Sequence, residues 1–334
     1  MKRHLLLASL VALAVLPAAA ASGAPTPSVV YNAVPSPLPG NVPSVGFQAT
    51  QTSQFGDYVH LGGTARTLGA VTVTMSDWAL YADYSLDARY LRNKSTWTHP
   101  ITLNVYSSHL GTDGAPDTLL GTTTETVTIP WRPKADPACA TTTAPTGWKA
   151  SDGQCYNGKA FNVTFNMSSL NVTLPSDVII GIAYNTQSYG TAPIGSNGPY
   201  NSLNVGVPTG QTASVGTDDS ANNVFWNTST AASYADGGTA GVGIFRQDTN
   251  WSPNGTVAFM ITATAPLVGP PTSMDQCKNG GWATFNAPSF KSQGGCEQFV
   301  QTSGAPGNGG HHDQGGQGSH SGQSSVGGRG GRGR

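Results

Sequence analysis

The chain has 334 residues, of which 10% are charged, 43 are Gly and 23 are Pro, and its formal net charge is −1. That balance excludes the clustered basic surface a nucleic-acid partner requires. Polarity comes mostly from Ser, Thr, Asn and Gln. This suits an extracellular sheet protein with long loops better than a helical one, since Thr fits strands and Gly, Pro and Asn set turns.

Lys2, Arg3 and His4, an apolar run over residues 5–16 and a small-residue stretch with A-x-A triplets together read as a secretory signal peptide spanning residues 1–21. The apolar run is too short to cross a hydrocarbon core of roughly 30 Å, so no transmembrane segment is expected in the mature chain. Residues 22–43 are rich in Pro and read as an extended lead-in.

Alternation of apolar and polar residues predicts strands over 58–61, 70–75, 101–106, 124–129 and 160–167. In the last of these Val163, Phe165 and Met167 fall on one face, with Asn162, Thr164 and Asn166 on the other. Residues 178–183 are continuously apolar and predict a central strand covered on both faces. Weaker strand signals follow at 202–207, 224–226, 242–245 and 257–264, and no segment of the mature domain carries a sustained helical period.

About ten short strands divided by turn residues predict an all-β fold, an antiparallel β-sandwich of jelly-roll type over residues 44–265, with barrel closure as the alternative. Residues 266–273 form a Pro-rich linker and 274–302 a small cysteine-closed module. Residues 303–334 are a Gly-rich tail with too little apolar surface to offset its ordering entropy, and are expected to be disordered.

Cys139 and Cys155 form one local pair of cysteines, Cys277 and Cys296 another. Local disulfides are the simplest of three connectivities, and export permits oxidation. A metal site is disfavoured by the lack of C-x-x-C spacing and of neighbouring His. Around the second pair, Cys277, Lys278, Asn279, Gly280, Gly281 and Trp282, followed by Phe285, Phe290, Cys296, Phe299 and Val300, resemble a short motif at or near the C-terminus of many secreted bacterial proteins. The larger domain, with Ser76, Asp77 and Trp78 and then Ile129, Pro130, Trp131, Arg132 and Pro133, is similar to exported bacterial sandwich domains. The resemblance implies export and a β-sandwich and carries no activity.

Ionisable groups are sparse: between residues 22 and 302 the only histidines are His60, His99 and His109 and the only glutamates Glu125 and Glu297. Glu125 with Asp117 could supply the carboxylate pair of a glycosidase. No G-x-S-x-G, H-E-x-x-H or P-loop pattern occurs. Two loops, one with Asp113 and Asp117 and one with Asp218 and Asp219, could offer oxygen ligands to calcium, though turn chemistry explains the same residues; no other cofactor is expected.

Aromatics interleaved with amides supply the clearest binding signal. Tyr184, Asn185, Gln187, Tyr189, Asn197 and Tyr200 surround a Gly- and Pro-rich loop that could stack on a sugar and bond its hydroxyls. Alternatively these rings cap the end of the sandwich. The sequence thus points to a non-catalytic secreted surface or matrix protein, structural or adhesive, with glycan binding as one form of that role and a secreted carbohydrate-active hydrolase as the alternative. Its expected partners are extracellular polysaccharide or cell-surface components.

Overall fold

A computed structural model of the chain describes residues 26–91, 93–140, 146–238, 241–266 and 268–302. The signal peptide and the Gly-rich tail lie outside them. The described residues divide into two compact units, one ending at Leu267 and one beginning at Val268.

In chain order the first unit contains β1 (Ser28–Asn32), β2 (Ser44–Gly46), β3 (Thr52–His60), β4 (Thr67–Asp77), a single helical turn α1 (Tyr81–Tyr84), β5 (Thr96–Ser107), β6 (Leu119–Pro130), β7 (Trp148–Lys149), β8 (Cys155–Tyr156), β9 (Lys159–Asn166), β10 (Asp177–Ala183), β11 (Leu203–Gly206), β12 (Asn223–Thr228), β13 (Arg246–Thr249) and β14 (Phe259–Thr264). β7 and β8 form a small hairpin, and the other strands form two antiparallel sheets.

The first sheet is built on β4. One edge of β4 pairs with β9, while the other is shared end to end by β14, against Thr67–Val73, and β11, against Met75–Asp77. β1 lies outside β14 and β2 outside β11. On the outer face of this sheet, hydroxyls of β4 are satisfied by cross-strand partners. Thr72 Oγ1 meets Thr164 Oγ1 at 2.8 Å and Thr74 Oγ1 donates to Asn162 Oδ1 at 2.9 Å, so these buried polar groups leave no unpaired donor.

The second sheet has the order β13-β12-β3-β10-β5-β6. Alternation on β5 sends Trp97, His99, Ile101, Leu103 and Val105 inward, where they are buried. They join Phe55, Val59, Ile180, Ile182 and Trp226 from the same sheet, and Val71, Val73, Phe165 and Phe259 from the first, in one continuous core. The fold is therefore a β-sandwich. β10 is central and covered on both faces: Val178, Ile180 and Ile182 enter that core, whereas Ile179 packs outside with Phe225 and Phe245. β9 alternates as expected, with Val163 and Phe165 buried and Asn162, Thr164 and Asn166 exposed. The sheets stay separate, but at one side of the sandwich the Glu125 carboxylate of β6 accepts the Asn166 N–H of β9 at 3.0 Å. This covers part of an otherwise open edge strand.

Three local expectations are corrected. The Pro-rich lead-in contributes β1, which pairs with β14 and buries Val30 and Tyr31. Residues 242–245 form no strand, because Gly241 and Gly243 take left-handed φ values of 72° and 80° and turn the chain there; the strand starts one residue later, at Arg246. In the second unit a helix, α2 (Gln293–Thr302), closes the cysteine module, where no helical period is legible.

Both disulfides pair as expected, Cys139 with Cys155 and Cys277 with Cys296. In the second unit Phe285, Phe290 and Phe299 meet edge to face at 6.1 Å and 5.5 Å. All three rings are only half-buried, so the disulfide sits at the centre of a thin core.

Candidate functional site

The loop after β10 is stitched to itself and to the core. The Tyr184 ring is 4% exposed, stacks on Phe47 at 4.0 Å, and its hydroxyl donates to the Leu203 carbonyl. Tyr200 is 3% exposed, donates to the Ser196 carbonyl at 2.5 Å and lies over the His99 ring at 5.2 Å. Two of the three tyrosines expected to form a sugar platform are therefore capping rings, which removes them as a stacking surface. The amides are engaged as well. Asn201 Nδ2 donates to Gln187 Oε1 at 3.1 Å and to Asn197 Oδ1 at 2.9 Å, and Asn185 Oδ1 accepts the Ala192 N–H at 3.0 Å. Tyr189 is half-buried, and its carbonyl accepts the Thr186 N–H at 2.8 Å. His99 Nε2 donates to the Asn185 carbonyl at 2.8 Å, and burial pushes its imidazole below the usual histidine range, so the ring serves as a neutral structural donor.

Of the four aspartates proposed for calcium, Asp113 and Asp218 act as turn and loop acceptors. Asp113 Oδ1 takes the Ala115 N–H at 3.1 Å, and the exposed Asp117 carboxylate lies 3.9 Å from His109 Nε2. Asp218 takes the Ser220 N–H at 3.0 Å and the Thr256 hydroxyl at 2.6 Å, and burial raises its carboxyl above the ordinary value. Among the described residues no three His, Cys, Asp or Glu side chains converge on a point that could hold a metal. Of the pair read for a glycosidase, Glu125 accepts the Asn166 N–H, while Asp117 stands exposed in its turn.

What these residues do not form, the outer face of the second sheet does. A groove of about 370 Å³ crosses it. Register places Asn227 of β12 opposite Gln54 of β3, Gln54 opposite Ala183 of β10, Ala183 opposite Thr102 of β5, and Thr102 opposite Thr124 of β6. All five line the groove, with Asn104 on one side of the row and Asn185 and Thr191 on the other. No lining side chain carries a formal charge. Thr102 Oγ1 and Thr124 Oγ1 lie 2.7 Å apart, Thr122 Oγ1 donates to Asn104 Oδ1 at 2.7 Å, and Gln54 Nε2 donates to the Tyr106 hydroxyl at 3.0 Å. Each hydroxyl or amide so engaged keeps hydrogen-bonding capacity for a ligand, since a hydroxyl offers one donor and two acceptor sites and an amide two of each.

The middle of the floor is low. Ala183 lies in the row with only a methyl group, and beyond the groove the Gln54 amide and the Phe245 ring cover its neighbour Gly181. Of the residues singled out in the sequence, only Asn185 and the flank of Tyr184 border this groove. No protein-family model, curated protein or solved structure matches the chain.

Proposed function

We propose that the chain is a non-catalytic, exported surface or matrix protein whose sandwich binds a neutral glycan in the groove across its second sheet. The observation that carries this reading is the groove's chemistry: amides and hydroxyls from four strands and from the loop after β10, without a charged side chain, suit a polyol ligand better than an anion or a cation. Neither Glu125 nor Asp117 borders the groove, so the carboxylates a hydrolase would use stand away from the place a sugar would occupy. The two disulfides fit an oxidising compartment, and no described helix is long and apolar enough to cross a membrane. The resemblance of the cysteine module to secreted bacterial proteins supports export.

The test is retention of the protein on a panel of neutral and charged polysaccharides, with Asn104→Ala as the groove variant. Wild type should be held by at least one neutral polymer. The variant, at a half-buried position on the outer face, should lose about tenfold in affinity, which corresponds to about 1.4 kcal/mol, at an unchanged melting temperature. Retention by charged polymers alone, or by none, refutes the reading.

A further inference from the structure

The groove is a straight row, and this bears on how much of a glycan it can read. Asn227, Gln54, Ala183, Thr102 and Thr124 are successive cross-strand partners, so the row runs perpendicular to the strands. Four steps between strands about 4.8 Å apart make it roughly 19 Å long, the span of several linked sugar rings rather than one.

One end opens over an edge. Thr124 lies on β6, which among the described residues pairs only with β5, and the Thr122, Thr126 and Thr128 side chains beside it are exposed on the same outer face. A polymer lying in the row can therefore run off the sheet edge past Thr124, with the Thr122 and Thr126 hydroxyls flanking its exit. A site for a chain terminus needs a closed end, and β6 provides none.

The floor also lacks an exposed ring to grip a single sugar, because the one aromatic that borders it, Tyr184, is 4% exposed with its hydroxyl turned to Leu203. Affinity must then build from many modest hydrogen bonds, each contributing about 0.5–1.5 kcal/mol net, and so must grow with ligand length until the row is filled. Ala183 at the centre leaves space for rings to lie flat between the polar ends.

Resting on the glycan reading above, we infer that the groove binds an internal stretch of a linear, neutral polysaccharide laid across the strands from Asn227 to Thr124. The absence of charge along the lining sets aside uronic-acid and sulfated chains.

The experiment is calorimetric titration of the full chain with oligomer series of β-glucan, xylan, mannan and dextran, from disaccharide to octasaccharide, with alginate as a charged control. Affinity for one series should rise by at least about tenfold with length and then level off. Asn227→Ala and Thr124→Ala, at opposite ends of the row, should each weaken the longest oligomer about threefold or more and leave the disaccharide unaffected. Ala183→Leu should weaken all lengths by raising the floor, with near-ultraviolet circular dichroism confirming that each variant stays folded. A disaccharide that binds as tightly as the octasaccharide, or long oligomers indifferent to both end variants, overturns the extended-chain inference while leaving glycan binding intact. If no neutral oligomer or polymer binds, the glycan reading itself fails and this inference with it.

Discussion

Arg246 holds the loop between β12 and β13, and its replacement by Met gives a quantitative test of the architecture behind the groove. The side chain is 6% exposed and its partner Asp236 27%. Nη1 and Nη2 donate to the two Asp236 oxygens at 2.7 Å and 3.1 Å, Nη1 also donates to the Gln247 carbonyl at 2.5 Å, and the guanidinium lies 4.0 Å over the Tyr234 ring. Arg246→Met keeps most of the apolar stem but leaves Asp236 without its countercharge, beside the buried Asp248, which is itself held by the Ala235 and Asp236 N–H groups and by Trp251 Nε1. Removing one partner of a buried pair costs about 3–5 kcal/mol. Two features lower the figure: Asp236 partly reaches water, and Arg246 Nε is buried with no acceptor, a cost that Met relieves. A loss of about 3 kcal/mol is expected, which in a domain of this size lowers the melting temperature by roughly 6–12 °C. Urea and thermal unfolding of Arg246→Met, Asp236→Asn and the double variant would measure it. The double variant should lose clearly less than the sum of the singles, because each removes the same interaction. A single-variant loss below about 1 kcal/mol, or strict additivity, would refute the assignment of Arg246 as the clasp of this loop.

Three further outcomes follow from the same geometry. Tyr184→Ala and Tyr200→Ala should each destabilise the domain by about 3–5 kcal/mol, as truncation of core aromatics does, and denaturant titration showing either to be neutral would return that ring to the surface. Burial lifts the Asp77 carboxyl from 3.8 to about 8. The folded protein therefore keeps a proton that the unfolded chain has lost: this stabilisation is full below about pH 4 and disappears as pH rises to about 8, with a slope of at most about 1.4 kcal/mol per pH unit. Asp77→Asn should flatten the stability profile across that window, and an unchanged slope would contradict it. In the second unit, Cys277→Ser with Cys296→Ser should melt α2, because a ten-residue helix is marginal without tertiary support; the loss of helicity is to be read by circular dichroism, and a retained helical signal would show that the aromatic contacts suffice alone.

Much of the sandwich was legible because half-buried strands carry a period of two. The alternation in β5 and β9 reports a wet and a dry face directly, and the unbroken apolar run of β10 reports a strand covered on both faces from Val178 to Ile182. Where the signal failed, the physics was local or tertiary. β1 is short and its pairing with β14 spans most of the domain, so nothing in its own neighbourhood announces it. Residues 242–245 have the apolar content of a strand, yet two glycines in left-handed conformation turn the chain, and conformation at Gly is the property composition reports least.

The candidate site shows the same division more sharply. Tyr184, Tyr189 and Tyr200 stand in a local cluster of rings and amides, and local clustering is equally what a loop needs to cap the open end of a sandwich: a ring to fill the gap and amides to pair its turns. The groove has no such local signature. Gln54, Thr102, Thr124, Ala183 and Asn227 come from five strands, and each alone is an ordinary solvent-face residue. Only register sets them in one row, and a slip of one residue in any of those strands would turn its contribution into the core. Period-two alternation places Asn104, Thr102 and Thr124 on the wet face, but it cannot say which residue stands opposite which. The pairing is decided by core packing on the far side, where Phe55, Ile182 and Leu103 lie in successive partnership and are each fully buried. The same contacts that hold the core together therefore set the spacing of the polar row above it, and the ligand it can take is decided by hydrophobic residues that never touch that ligand.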